Sequence, residues 1–120
     1  MTTSYRVGER DERPWGSWEI IALGPSYAVK RIVVRAGHRL SLQRHTFRAE
    51  HWTLVNGAGL VTLGKETFSV HAGEHTAIGR GDVHRVANPG PGDLVFIEVQ
   101  YGERLDEDDI ERLEDDYDRR

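Results

Sequence analysis

From Arg13 to about residue 101, apolar and polar positions alternate in short runs that are broken by glycine and proline. A period of two is the mark of a strand with one buried face. The runs predict nine strands, at residues 17–21, 27–34, 39–45, 51–56, 60–63, 66–70, 75–78, 84–88 and 93–101. Turn chemistry falls between them, at Gly24-Pro25, Ala36-Gly37, Asn56-Gly57, Gly64-Lys65, Ala72-Gly73, Gly79-Arg80-Gly81 and Pro89-Gly90-Pro91-Gly92. Many short strands with glycine-rich turns favour a sandwich or barrel over a parallel α/β sheet. Arg13-Pro14-Trp15-Gly16 reads as an ordered start to the fold. The tail has a different rhythm. Asp106 suits a helix cap, with Asp109 in the capping-box position, and Ile110, Leu113 and Tyr117 then fall on one helical face. The expected organisation is therefore a flexible polar lead over residues 1–12, a single β-barrel domain over 13–103, and a short acidic C-terminal helix over 104–120 packed on the barrel.

Charge sharpens that division. Residues 103–120 hold ten acids and four arginines, a balance of −6, while the rest of the chain carries a balance of +2. A mildly cationic body suits a small acidic or phosphorylated ligand. It is too weak a bias for nucleic acid, and no basic stripe interleaved with aromatics occurs. The chain has no cysteine, so thiolate metal sites and disulfides are excluded, and any metal must be held by nitrogen and oxygen. Residues 1–7 contain no apolar run of signal-peptide length and no segment approaches a membrane span, so a soluble cytoplasmic protein without a membrane partner is expected. With 120 residues and 38% hydrophobic content, the core is modest, and a homodimer would bury more of it.

Two frames carry candidate chemistry. The first runs Gly37, five residues, Gln43-Arg44-His45, four residues, Glu50, six residues, Gly57. The second runs Gly73, five residues, Gly79-Arg80-Gly81, two residues, His84, three residues, Asn88. They resemble the two motifs of the cupin superfamily, with Gln-x-His in place of the usual His-x-His, which implies an all-β jelly-roll barrel. Gln43 and His45 share a strand face. Glu50 is expected to start the next strand after a turn at residues 46–49, and His84 to arrive from a separate hairpin. Burying such groups together without a partner costs several kcal/mol, so a metal or a dense polar network is required. Two imidazoles, a carboxylate and an amide oxygen suit one divalent ion; zinc is expected, and manganese, cobalt or iron(II) are compatible. His38, His51, His71 and His75 read as packed or surface residues.

The resemblance extends further. Arg13-Pro-Trp-Gly-Ser-Trp-Glu, Gly37-His-Arg-Leu-Ser-Leu-Gln-Arg-His, Arg48-Ala-Glu-His-Trp and Ile97-Glu-Val-Gln-Tyr-Gly are similar to the type II phosphomannose isomerase family. What that resemblance implies is metal-dependent interconversion of mannose 6-phosphate and fructose 6-phosphate through an enediol(ate). Gln43, His45, Glu50 and His84 would be the metal ligands, and Arg48 would be important for activity. Such a reaction needs a Lewis acid, a base near C1–C2 and a cationic cradle for phosphate. Glu98 and Lys30 each lie on the apolar parity of a predicted strand and are candidate catalytic residues with Arg48. Glu98 reads as a substrate or proton-handling group or an internal salt-bridge partner, and Lys30 as a substrate contact or one half of an internal ion pair. Arg39, Arg85 and Gln100 are candidates for substrate contact, with Arg48, Arg39 and Arg85 as the phosphate ligands. Two alternatives stand beside the isomerase. One is a non-catalytic metal-containing module that binds a sugar or sugar phosphate. The other is an isomerase or epimerase acting on a nucleotide-linked sugar.

Overall fold

The computed structural model describes residues 2–117, and among these every regular element is a strand. In chain order they are β1 (Thr2–Thr3), β2 (Arg10–Arg13), β3 (Gly16–Leu23), β4 (Tyr27–Val34), β5 (Leu42–Arg44), β6 (Arg48–Asn56), β7 (Ala58–Leu63), β8 (Glu66–His71), β9 (His75–Ile78), β10 (His84–Ala87), β11 (Leu94–Gly102), β12 (Arg104–Leu105) and β13 (Glu111–Glu114). A six-stranded sheet has the order β2-β3-β4-β11-β6-β9 and a five-stranded sheet the order β13-β5-β10-β7-β8. Their inner faces share one core, and β1 pairs in parallel with β12 beside them.

Alternation dictates what goes inside. Along β4 the residues Ala28, Lys30, Ile32 and Val34 are buried, while their neighbours are exposed or half-buried. Strand β11 buries Leu94, Phe96, Glu98 and Gln100 in the same way. Pairing brings these positions into rows across the sheet. Trp18 lies opposite Ile32, Ile32 opposite Phe96, and Phe96 opposite Leu54, all at most 4% exposed. The next row runs Ile20, Lys30, Glu98, Trp52 and Thr76, and the one after it sets Gln100 opposite Glu50. The inner face therefore changes from apolar to polar along the strand direction. Gly57 turns the chain between β6 and β7 at φ +81°, where a Cβ would stand 2.5 Å from the Asp93 carbonyl oxygen, so the turn accepts no side chain.

All nine expected strands form, and three expectations need correction. The C-terminal helix is absent among the described residues; residues 104–117 run as β12, a turn and β13, and residues 118–120 lie outside the described part. Asp106 does cap, accepting bonds from the backbone N–H groups of Asp108 (2.9 Å) and Asp109 (3.0 Å), but no helix follows. The reason is tertiary. The backbone of Glu111–Glu114 pairs with β5, and the acids of the tail find arginines on the body, as in Glu111 with Arg44 and Asp116 with Arg39. The polar lead is corrected as well: β1 and β2 are paired strands, and Tyr5 is buried against Trp18 with a ring separation of 6.1 Å. Finally, β6 begins at Arg48, not after residue 49, which puts Arg48 and Glu50 on the same inner face.

Candidate metal centre and cavity

At the polar end of the barrel, His45, Glu50 and His84 converge. All three are buried, and one potential ligand atom from each lies within 4.8 Å of the others. Glu50 comes from β6 in the large sheet and His84 from β10 in the small one, while His45 follows directly after β5. His45 Nε2 is 3.2 Å from Glu50 Oε2, and His84 Nε2 is 3.7 Å from Glu50 Oε1.

Backbone carbonyls fix how the imidazoles point. His45 Nδ1 lies 2.6 Å from the Asp109 carbonyl oxygen and His84 Nδ1 lies 2.8 Å from that of Asp82. A carbonyl only accepts, so each Nδ1 carries a proton and each Nε2 is the ring nitrogen turned to the centre. Outer-shell bonds of this kind orient metal-binding histidines. Two imidazole nitrogens and a carboxylate aimed at one point suit a divalent cation of the zinc, manganese, cobalt or iron(II) type. The donor set therefore fits one metal ion.

Around this cluster the carboxylates are held in different states. Burial works to raise the Glu50 carboxyl, but Arg48 and the two histidines outweigh it and hold it well below the usual carboxylate range. Arg48 donates from Nε to Glu50 Oε2 at 2.9 Å and from Nη1 to the Asp106 carbonyl at 2.8 Å. Glu98 is shifted the other way, raised first by burial and then by the charge of Glu50. Trp52 joins the two acids: its indole N–H lies 3.0 Å from both Glu50 Oε1 and Glu98 Oε1. Gln100 donates to Glu98 Oε2 at 2.7 Å. Burial lowers His45 to about 4, which keeps the imidazole neutral.

A cavity adjoins the cluster. Its empty space, open mouth included, is about 530 Å³, and its wall includes Gln43, Arg48 and Glu98 together with Lys30, Glu107, Trp15, Trp18, Arg13 and Arg112. Lys30 Nζ is 2.6 Å from Glu107 Oε2 and 4.3 Å from the centre of the Trp18 ring. The Tyr5 hydroxyl bonds the same Glu107 carboxylate. Burial acts to raise Glu107, yet Lys30 and Tyr5 hold it down at about 2.

Most of the site residues expected from sequence are brought together here. Gln43 lies opposite His84 in register and turns its amide nitrogen to Ser41, 2.9 Å from Oγ, which leaves Oε1 as its available donor atom. Lys30, Arg48 and Glu98 line the cavity, and Gln100 stands behind Glu98. Arg39 and Arg85 are not among the lining residues. Arg39 forks onto Asp116 at 2.7 and 2.9 Å on the surface, and Arg85 donates to the Leu40 carbonyl and to Glu114. Neither is positioned as the phosphate contact expected of it.

Sequence reasoning missed Trp52, Glu107, Asp109 and Arg13. The Asp109 carboxylate accepts from the backbone N–H groups of Thr46 (2.8 Å) and Phe47 (2.9 Å), while its carbonyl holds His45. The tail therefore clamps the turn that carries a ligand. For Trp52, the inward parity with Glu50 was a usable signal. Arg13 was marked by the Arg13-Pro-Trp-Gly run, which reads as the start of the fold, and Glu107 only by its place in the acidic tail.

A two-sheet barrel with this cluster at its polar end is a cupin. Comparison with solved structures supports the fold. The capsular polysaccharide assembling protein CapF from Staphylococcus aureus superposes with a TM-score of 0.76 at 22% identity, over 92% of this chain and 33% of that one. Oxalate decarboxylase from Lactobacillus farciminis gives 0.76 at 21% identity, over 88% and 33%. The family model described as mannose-6-phosphate isomerase C-terminal matches residues 2–115, and the chain belongs to that family. The alginate biosynthesis protein AlgA of Pseudomonas aeruginosa is 51% identical over 107 residues, which are 89% of this chain and 22% of AlgA. The mannose-1-phosphate guanylyltransferase of Salmonella muenchen is 45% identical over 102 residues, 85% of this chain and 22% of that protein. The chain thus spans about a fifth of the length of these curated relatives. Among the described residues, no helix is long and apolar enough to cross a membrane.

Proposed function

We propose that this cupin interconverts mannose 6-phosphate and fructose 6-phosphate, with one divalent ion, zinc in the first instance, held by His45, Glu50, His84 and the amide oxygen of Gln43. The observation that carries the reading is the convergence of two carbonyl-locked histidines and Glu50 beside a cavity rich in cations. A bound ion of this class supplies electrophilic polarisation of the sugar carbonyl.

The chain's own residues do the rest. Glu98 lines the cavity and is steadied by Trp52 and Gln100, so in its ionised form it can take a proton from C2 and return it at C1 of the enediol(ate), while the O2 hydroxyl proton passes to O1. Lys30, held by Glu107, supplies hydrogen bonds to the sugar oxygens at the same wall. Arg48 keeps Glu50 ionised and fixed in orientation. Arg48, Lys30 and the further cations of the wall favour an anionic substrate.

The test is a coupled assay for fructose 6-phosphate formed from mannose 6-phosphate. The protein is stripped of metal and then reconstituted separately with zinc, manganese, cobalt or iron(II). Metal-dependent turnover supports the isomerase. Stoichiometric metal binding without turnover under every ion supports instead a non-catalytic sugar-phosphate module. That second reading is favoured by one observation: the Lys30 ammonium already has a carboxylate partner in Glu107.

A further inference from the structure

We propose that Arg13 binds the phosphoryl group of the substrate, at the end of the cavity away from Glu98; the assignment rests on the sugar-phosphate reading above. A hexose 6-phosphate carries its reacting carbons at one end and its dianion at the other. The cation that recognises the dianion must therefore stand apart from the proton-handling carboxyl.

Three of the cavity's cations stand near the reacting end. Lys30 is paired with Glu107 at 2.6 Å, and Arg48 is tied to Glu50 and the Asp106 carbonyl. Arg112 lies opposite Gln43 in register, beside the metal ligands. Arg13 stands at a different level. It sits opposite Gly16, which pairs with Val34, whereas Glu98 pairs with Lys30. Four residues of β4 separate those two levels, roughly 13 Å at about 3.3 Å per residue. Trp18 and Ile32 line the wall between them.

The guanidinium is also presented for a ligand. Its ion-pair partner is Asp11, whose Oδ2 lies 3.0 Å from Nη2, with side-chain exposures of 29% for Arg13 and 44% for Asp11. A guanidinium has two forks, Nε with Nη2 and Nη1 with Nη2; Asp11 faces one of the two Nη2 hydrogens, and the other leaves a fork whose geometry matches a phosphate. The turn that carries it is rigid. The Trp15 carbonyl accepts from the Arg35 N–H at 2.9 Å, Trp15 is 6% exposed, and a Cβ on Gly16 would meet the Val33 carbonyl oxygen at 1.9 Å. The Arg13-Pro14-Trp15-Gly16 segment thereby gains a role beyond starting the barrel.

The experiment uses the full metal-reconstituted chain, compares fructose 6-phosphate with unphosphorylated fructose by calorimetric titration, and follows turnover of mannose 6-phosphate in the coupled assay. Arg13→Gln is expected to weaken fructose 6-phosphate binding by about tenfold or more, the scale of losing a charge-assisted bond. Binding of fructose should not change. In turnover the loss should appear in KM, with kcat nearly unchanged. Arg13→Lys, which keeps the charge without the fork, should fall between. Arg31→Gln, whose guanidinium pairs with Glu19 outside the cavity, should match the wild type. Turnover with a KM indifferent to Arg13→Gln overturns the assignment and leaves the isomerase reading intact. Arg13-dependent binding without turnover under any metal upholds the assignment and removes the isomerase. If the wild type does not bind fructose 6-phosphate, both fall.

Discussion

Two neighbouring levels of the large sheet are built alike and do opposite things. The row Trp18, Ile32, Phe96 and Leu54 and the row Lys30, Glu98 and Trp52, with Gln100 and Glu50 beyond it, lie on the same strands, face the same way and are equally buried. The first gains stability from every apolar contact. The second places charges where water cannot reach them, which is costly unless each is paired. Pairing is what the structure provides, through Arg48 on Glu50, Glu107 on Lys30, and Trp52 between Glu50 and Glu98. Burial alone therefore does not mark a core. The chemistry of the buried group decides whether a level stabilises the barrel or prepares a reaction.

Substitution can break that comparison. Leu54→Ala should cost about 2–5 kcal/mol of stability, read by denaturant unfolding, while metal affinity stays near wild type. If metal binding fell as far as in a ligand variant, the two levels would not be separable. Glu50→Ala removes the one anion of the cluster. Metal affinity should drop by more than about 100-fold, beyond what loss of an outer-shell partner produces; a titration with unchanged affinity would remove Glu50 from the ligand set. Arg48→Ala leaves the three ligands in place and should lower turnover by about 10–100-fold with metal retained. Full activity in that variant would deny Arg48 its orienting role.

Smaller effects sharpen the boundary. Asp109→Ala deletes the caps on Thr46 and Phe47 and should cost about 1–2 kcal/mol, measured as a shift in unfolding midpoint. The pair of Lys30 and Glu107 should show itself in pH. Glu107 is held down at about 2 in the folded chain, against about 4.3 when unfolded. A depressed carboxyl contributes stability that is fully present above the unfolded value and is lost as pH falls through the folded one. The stability difference between wild type and Glu107→Gln should therefore shrink from about pH 4.3 down to 2. A difference constant over that interval would show that the ion pair does not carry it.

Much of this site was readable from the chain because strand parity is a local property. Lys30, Glu98, Gln43 and His45 were placed on inner faces by counting in twos, and β4 and β9 form over the residues the pattern predicted. The surroundings of Arg39 and Arg85 were not readable in that way. Arg39 and Arg85 lie close to the ligands in sequence, but strand geometry and the acids Asp116 and Glu114 draw them elsewhere. Nearness along a chain is a weak guide to nearness in a barrel, where adjacent residues face opposite sides.

The tail marks the limit most clearly. The sequence by itself determined an all-β barrel, its strand order along the chain, and candidate ligands spread over two motifs, because alternation and turn residues act within a few positions. It also offered a helix cap at Asp106 and Asp109 that the tertiary structure put to other uses. A carboxylate accepts from whichever N–H groups the fold brings near, and its local sequence cannot say which. Pairing with β5 satisfied the backbone of Glu111–Glu114, and Asp109 was recruited to Thr46, Phe47 and His45 from more than sixty positions away. Those long-range bonds outweighed the weak intrinsic preference of a short acidic segment for helix, and only the folded chain could decide it.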